Sequence, residues 1–220
     1  MATVSEFYGR WAAQYDRLAT APGVGRWRRA AARRVADPGD VVVDLGCGSG
    51  ATLPYLRNRV GPDGRVVGLD VTGPLLEIAR RRAAGHDNVS VLRADAADPP
   101  IDSADAAVAT FVCGMFADPG RVVDRWCDLV GSGGRVALMD ATRSDHPLAW
   151  PLRPLFRLFT AASTPGAGPT DVVRAPRSRP DDTLGRRVTT AREALVDRTT
   201  ERRYDAFALG FVGLLAGRVR

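Results

Sequence analysis

One stretch constrains this chain more than any other: Val41-Val42-Val43-Asp44-Leu45, running straight into Gly46-Cys47-Gly48-Ser49-Gly50. A β-branched run without polar alternation fits a strand covered on both faces, the habit of parallel sheets. Glycines directly after it let the backbone turn sharply and approach a ligand with no Cβ in the way. From there the chain repeats strand, turn and helix. Strands are predicted over 41–45, 65–70, 89–93, 104–111 and 135–140, and helices over 51–60, 73–84 and 118–130. Gly61-Pro62-Asp63-Gly64 and Gly131-Ser132-Gly133-Gly134 supply turns between them. Such alternation implies a mostly parallel sheet with helices on both faces. Right-handed crossovers then bring the C-terminal ends of the strands to one edge, where ligands bind at the point of reversed strand order.

Ahead of the first strand, Val4, Phe7, Tyr8, Trp11, Tyr15 and Leu18 recur at helical spacing, and Trp27, Ala31 and Val35 mark a second helix. Both read as an N-terminal lid. After Asp140 the pattern is less regular: a helix is expected over 150–162, a Pro/Gly/Arg-rich loop over 163–180, a helix over 182–196 and closing strands over 198–204 and 207–215. The whole reads as one domain over 1–220, with a helical cover (1–37), a binding core (41–140) and substrate-side helices and closing strands (141–220).

The 31 basic residues are all arginine, against 25 acids, for a net charge of +6. Without lysine there is no Schiff-base chemistry and no P-loop. Codon usage accounts for the arginine, and solvated helix faces for its clusters at 26–29 and 80–82; the cluster at 174–187 could meet an anionic surface. No apolar run reaches the roughly 18–20 residues of a membrane span, and the N-terminus lacks a secretory pattern. Cys47, Cys113 and Cys127 have neither disulfide nor metal spacing, which points to the cytoplasm and to no metal.

Asp44 stands before the glycine loop and Asp70 ends the next strand, where a carboxylate can accept both hydroxyls of a ribose. These residues carry a resemblance. Asp44-Leu45-Gly46-Cys47-Gly48-Ser49-Gly50 resembles the first motif of class I S-adenosylmethionine-dependent methyltransferases. Gly68-Leu69-Asp70, Arg93-Ala94-Asp95-Ala96 and Gly133-Gly134-Arg135-Val136 are similar to later segments of that family. Trp11-Ala12-Ala13-Gln14-Tyr15-Asp16 is similar to the N-terminal helix of the ubiquinone/menaquinone-biosynthesis group, whose features small-molecule and phospholipid methyltransferases share. The resemblance implies a Rossmann-like seven-stranded sheet and S-adenosylmethionine as cofactor. It places Gly46, Cys47, Gly48 and Gly50 along the methionine portion, Asp44 near its amino group, and Asp70 with Val71 at the ribose. Asp95 and Ala96 fall at the adenine edge, Thr110 at the end of the fourth strand, and Tyr15 (or Tyr8) over the sulfonium.

The methyl of such a cofactor is already electrophilic, so the protein mainly aligns an acceptor behind it. A general base is needed only for a protonated acceptor, and no residue is an unambiguous one. The candidates are Thr110, Asp140 and His146, with Arg143 and Asp145 nearby; Cys113 reads as a small apolar filler. Phe111, Met115, Phe116, Trp150, Leu155, Phe156 and Phe159 would make an apolar acceptor pocket, suited to a quinol, phenol, amine or lipid-like molecule. The 150–162 helix, alternating Phe and Leu with Arg153 and Arg157, also fits a peripheral membrane contact. Two other classes share features: a nicotinamide dehydrogenase, through the glycine loop and Asp70, and a basic RNA-binding or RNA-methylating protein, through the charge. Against nucleic acid, the chain lacks stacking surfaces or an added recognition domain. The segment after strand four also reads Thr110-Phe111-Val112-Cys113 rather than the Asn/Asp-Pro-Pro-aromatic motif of base methylation.

Overall fold

The computed structural model describes residues 12–141, 144, 147–148 and 183–220, leaving aside the side chains of Gln14, Tyr15 and Leu18. Helices α1 (Ala12–Ala19) and α2 (Val24–Val35) precede β1 (Val41–Leu45). Then follow α3 (Leu53–Val60), β2 (Arg65–Asp70), α4 (Gly73–Ala83), β3 (Val89–Arg93), β4 (Ala106–Thr110), α5 (Pro119–Val130) and β5 (Arg135–Ala141). The chain closes with α6 (Thr183–Arg198), β6 (Thr199–Phe207) and β7 (Val212–Val219). The predicted helix over 150–162 and loop over 163–180 lie outside the described residues.

The seven strands form one sheet in the order β3-β2-β1-β4-β5-β7-β6. β1 to β5 are parallel, with Val42 opposite both Val66 and Ala106. β7 runs antiparallel to β5, and β6 antiparallel to β7. The order reverses between β1 and β4, so the crevice expected of such a sheet opens above those two strands. Alternate residues of the strands supply two cores. Val43, Leu45 and Leu138 pack under Trp126 and Cys127 of α5 and Ala191 and Leu195 of α6. Val42, Val108 and Met139 pack under Ala31 and Val35 of α2, Leu56 of α3 and Ala79 of α4.

Local signals account for the element ends. Pro74 sits in the first turn of α4, where its missing N–H costs nothing. The Asp118 carboxylate accepts the Arg121 N–H at 3.1 Å and caps α5. Among the boundaries that differ from expectation, two carry a backbone cause. β4 stops at Thr110 because Phe111 takes a left-handed conformation, φ 60°. The last strand begins at Val212 rather than 207, because Ala208, Leu209 and Gly210 all have positive φ and turn the chain out of the ladder. Edge strand β6 exposes Thr200 to Tyr204, and the charges of Glu201, Arg202 and Arg203 among them guard its unpaired side. Among the described residues, no helix is long and apolar enough to cross a membrane.

Candidate functional site

A cleft of about 220 Å³ opens at the C-terminal ends of β1, β2 and β4. One wall is Gly46 and Gly48 with Asp70, Val71 and Thr72; the other is Thr110, Phe111, Val112, Met115 and Phe116, with Asp95 and Ala96 at its edge. Of the sequence-predicted residues, Gly46, Gly48, Asp70, Val71, Asp95, Ala96 and Thr110 line the cleft and Asp44, Cys47 and Gly50 do not, while Phe111, Met115 and Phe116, expected around an acceptor, share it. Thr72, Leu75 and Val112 complete the lining without having been foreseen.

The glycine loop is shaped by conformation and by close contact. Gly46 and Gly48 have φ of 72° and 55°, a region that favours glycine. A Cβ on Gly46 would stand 2.7 Å from Val112 Cγ2, inside the cleft wall. Asp70 fixes the loop: its Oδ2 accepts the Gly48 N–H at 2.9 Å and its Oδ1 the Thr72 N–H at 2.8 Å. Each oxygen keeps a further lone pair for a ligand hydroxyl. Asp95 accepts the Ala97 N–H at 2.8 Å, and the Trp126 indole donates to the Ala96 carbonyl at 2.7 Å, so the β3 end of the cleft is braced from the core. Cys47 and Gly50 lie behind the loop: an added Cβ on Gly68 would meet the Cys47 thiol, and one on Gly50 would meet Leu53 and Ala79.

Beneath the loop lie two buried charges. Asp44 is fully buried and neither carboxylate oxygen has a hydrogen-bond partner. Burial pushes its carboxyl up to about 7, Arg28's charge working against that rise and Asp70's adding to it. Arg28 on α2 is itself only 5% exposed. It donates to Thr52 Oγ1 at 2.6 Å, to Thr110 Oγ1 at 3.2 Å and to the Ala19 carbonyl at 3.3 Å, and lies over the Phe111 ring at 5.9 Å. The reading of 26–29 as a solvated face is thus wrong for Arg28, which α2 turns inward to the cleft floor. Arg82 corrects the second cluster: it donates to the Ser49 carbonyl and, at 3.0 Å, to Asp16, tying α1 to the glycine loop. A buried carboxylate without a donor, beside glycines that leave room for a ligand, suits a group bearing an ammonium.

Asp140 is 2% exposed at the end of β5 and does not line the cleft. Burial raises its carboxyl to about 6, opposed by a hydrogen bond from Cys113 and by Arg192. The Cys113 thiol, fully buried, is raised well above its usual range by burial and by Asp140, which fits the inert filler expected of it. Thr110 does line the cleft, and its hydroxyl is engaged by Arg28. His146, Arg143, Asp145, Tyr8, the Tyr15 side chain and the pocket residues from Trp150 to Phe159 lie outside the described residues.

Residues 42–134 match the family model of a methyltransferase domain. The chain is 37% identical over 153 residues to nocamycin O-methyltransferase of Saccharothrix syringae, covering 64% of this chain and 54% of that protein. It is 32% identical over 151 residues to demethylmenaquinone methyltransferase of Clavibacter sepedonicus, covering 66% of this chain and 60% of that protein. The chain thus spans just over half the length of these relatives. Its fold is similar to that of a SAM-dependent methyltransferase from Aquifex aeolicus, with TM-score 0.61 and 16% identity over 95% of this chain and 98% of that one.

Proposed function

We propose, from the premise that the chain belongs to the class I S-adenosylmethionine-dependent methyltransferases, that it moves a methyl group to a small, apolar acceptor. The observation that carries this is the unpartnered Asp44 carboxylate with buried Arg28 nearby, beneath a glycine loop at the switch point of the sheet. Opposite buried charges that do not hydrogen-bond each other match the two ends of an α-amino acid. Asp44 would take the ammonium, while Arg28, with Thr52 and Thr110, would take the carboxylate. Asp70 would hold the ribose, Asp95 and Ala96 the adenine edge, and the backbone of Gly46 and Gly48 the chain between. When bound, the cofactor supplies a methyl carried on a sulfonium.

What the chain's own residues contribute is alignment and dryness. Phe111, Val112, Met115 and Phe116 turn apolar surface towards the cleft, which favours a flat or acyl acceptor and keeps water from the reacting face. Positioning of this kind can lower a barrier by roughly 7–11 kcal/mol in favourable systems. Among the described residues none meets the geometry of a general base: Thr110 is held by Arg28, and Asp140 lies off the cleft. The apolar lining suits an acceptor such as a phenol or a quinol. The named activities of the two relatives, an O-methyltransferase and a demethylmenaquinone methyltransferase, support the same classes. We place the activity in the cytoplasm, in keeping with three free, buried cysteines.

Calorimetric titration of S-adenosylmethionine and S-adenosylhomocysteine into the wild type and Asp70→Ala tests this reading. Loss of hydrogen bonds to a charged acceptor should weaken binding by roughly 1.5–3 kcal/mol, about tenfold to a hundredfold. No binding to a folded wild type would overturn it.

A further inference from the structure

A second concavity, of about 400 Å³, lies at the opposite edge of the sheet. Arg135 opens β5 there, and Asp37 stands just before β1, so this is the N-terminal edge of the parallel strands. Five arginines reach it from four elements: Arg33 and Arg34 on α2, Arg135 on β5, Arg203 on β6 and Arg218 on β7. Its acidic lining is Asp37 and Glu201, so five positive charges face two negative ones, a net +3.

The acids around the groove serve to set the cations in place. Asp205 takes Arg34 through two bonds of 2.8 and 2.9 Å. Asp37 is held between Arg59, at 2.6 Å, and Arg135, whose hydrogen bond keeps its carboxyl below the usual range. Glu201 lies 3.5 Å from Arg218, reached through a β-bulge in which Glu201 has φ 48°. Arg33 and Arg203 form no hydrogen bond or close ion pair with a described residue, yet face the same groove. Solvation explains an arginine scattered on a surface; it does not explain five converging on one concavity with their acids spent on orientation.

Guanidinium forks grip phosphate oxygens two at a time. Two phosphoryl groups carry roughly three negative charges near neutral pH, the complement of this lining. The volume falls within the roughly 300–1,000 Å³ of small-ligand sites. We infer that this groove binds a pair of phosphate groups, either the diphosphate of a free small molecule or the two phosphates of a lipid headgroup.

The test is a calorimetric titration of inorganic pyrophosphate at about 0.15 M salt, a strength that already screens exposed charges beyond about 8 Å. Wild type is compared with Arg33→Gln/Arg203→Gln, both outside the ion pairs that hold the fold. One saturable site is expected, tighter than for sulfate at equal ionic strength. The double variant should weaken it by about tenfold or more, while circular dichroism and S-adenosylhomocysteine binding stay unchanged. Pyrophosphate binding no tighter than sulfate, or indifferent to the double substitution, overturns the inference. Co-sedimentation with phosphatidylcholine vesicles with and without cardiolipin separates the two sources. Retention on cardiolipin that pyrophosphate competes away assigns the headgroup, and pyrophosphate binding without retention assigns the free ligand. Retention that pyrophosphate leaves untouched points to diffuse surface charge and overturns the site.

Discussion

If Asp44 meets the ammonium of the cofactor, binding must be coupled to a proton. Its carboxyl is pushed up to about 7, chiefly because burial disfavours the charge. An ammonium brought alongside favours the carboxylate, so the pKa falls on binding and any proton held before binding is released. At pH 6 only about one Asp44 in ten is ionised, so affinity for S-adenosylhomocysteine should be about tenfold weaker than at pH 8, with nearly one proton released per ligand. Calorimetry in two buffers of different ionisation enthalpy, from about pH 5.5 to about 8, reads both quantities. Asp44→Asn should flatten the profile and weaken binding at pH 7.5 by roughly 1.5–3 kcal/mol. A profile that is flat in the wild type, or that survives Asp44→Asn unchanged, would refute the reasoning. The same shift has a stability consequence. A carboxyl whose folded pKa is raised from 3.8 to about 7 favours folding most below pH 3.8, and that support is lost as pH rises through 7. The difference is of the order of 4 kcal/mol, so the ligand-free Asp44→Asn variant should melt higher than wild type at pH 8 even though it binds worse.

Three further outcomes follow from the geometry. Gly46→Ala should cost at least about 1 kcal/mol for a left-handed alanine and displace Val112 from the cleft wall, seen as a lower Tm together with weaker S-adenosylhomocysteine binding. Trp126→Phe keeps the edge-on contact with Phe116 but leaves the Ala96 carbonyl without its donor; a loss of about 1–3 kcal/mol is expected by denaturant titration, with a larger fall in adenosine affinity than Asp140→Asn produces. Asp140→Asn removes a carboxyl raised to about 6 by burial, so by the same sign rule it should raise Tm at pH 8 and change it little near pH 4.

Much of this was legible in the chain. β1, β2 and β3 begin and end where the sequence sets them; β1 and β2 are apolar runs closed by Gly or Asp, and a buried parallel strand has few other ways to read. Two of the departures share one cause, which is backbone conformation imposed by tertiary contact. Phe111 carries a β-forming side chain and would extend β4, yet its N–H bonds to the Met139 carbonyl at 2.7 Å while φ turns to 60°. A strained aromatic at the lip of a binding cleft is a local preference overridden for the sake of the site. Ala208 and Leu209 defeat the prediction of β7 in the same way, since neither residue type announces a positive φ. Cleft residues read well where glycine or an acid marks them, and poorly where an ordinary Thr72, Leu75 or Val112 is drawn in by the fold alone.

Arg28 is the residue whose omission matters most, and its position did carry a signal. Trp27, Ala31 and Val35 set the apolar stripe of α2, and Arg28 stands three residues before Ala31 and seven before Val35, on the inward side. A cluster of arginines had been assigned to solvent as a unit, although helical periodicity treats its members separately: Arg26 and Arg29 are exposed, Arg28 is buried. A guanidinium turned inward costs several kcal/mol unless something answers its charge. Its hydrogen bonds include those to neutral oxygens of Ala19, Thr52 and Thr110, while the nearby carboxylate of Asp44 has no donor of its own. Each charge lowers the cost of burying the other through space, yet both Asp44 oxygens stay without a donor, and a ligand's ammonium would supply one. The arrangement therefore makes sense as half of a complex. A charge on the buried stripe of an otherwise ordinary helix is the sequence signature of such a half.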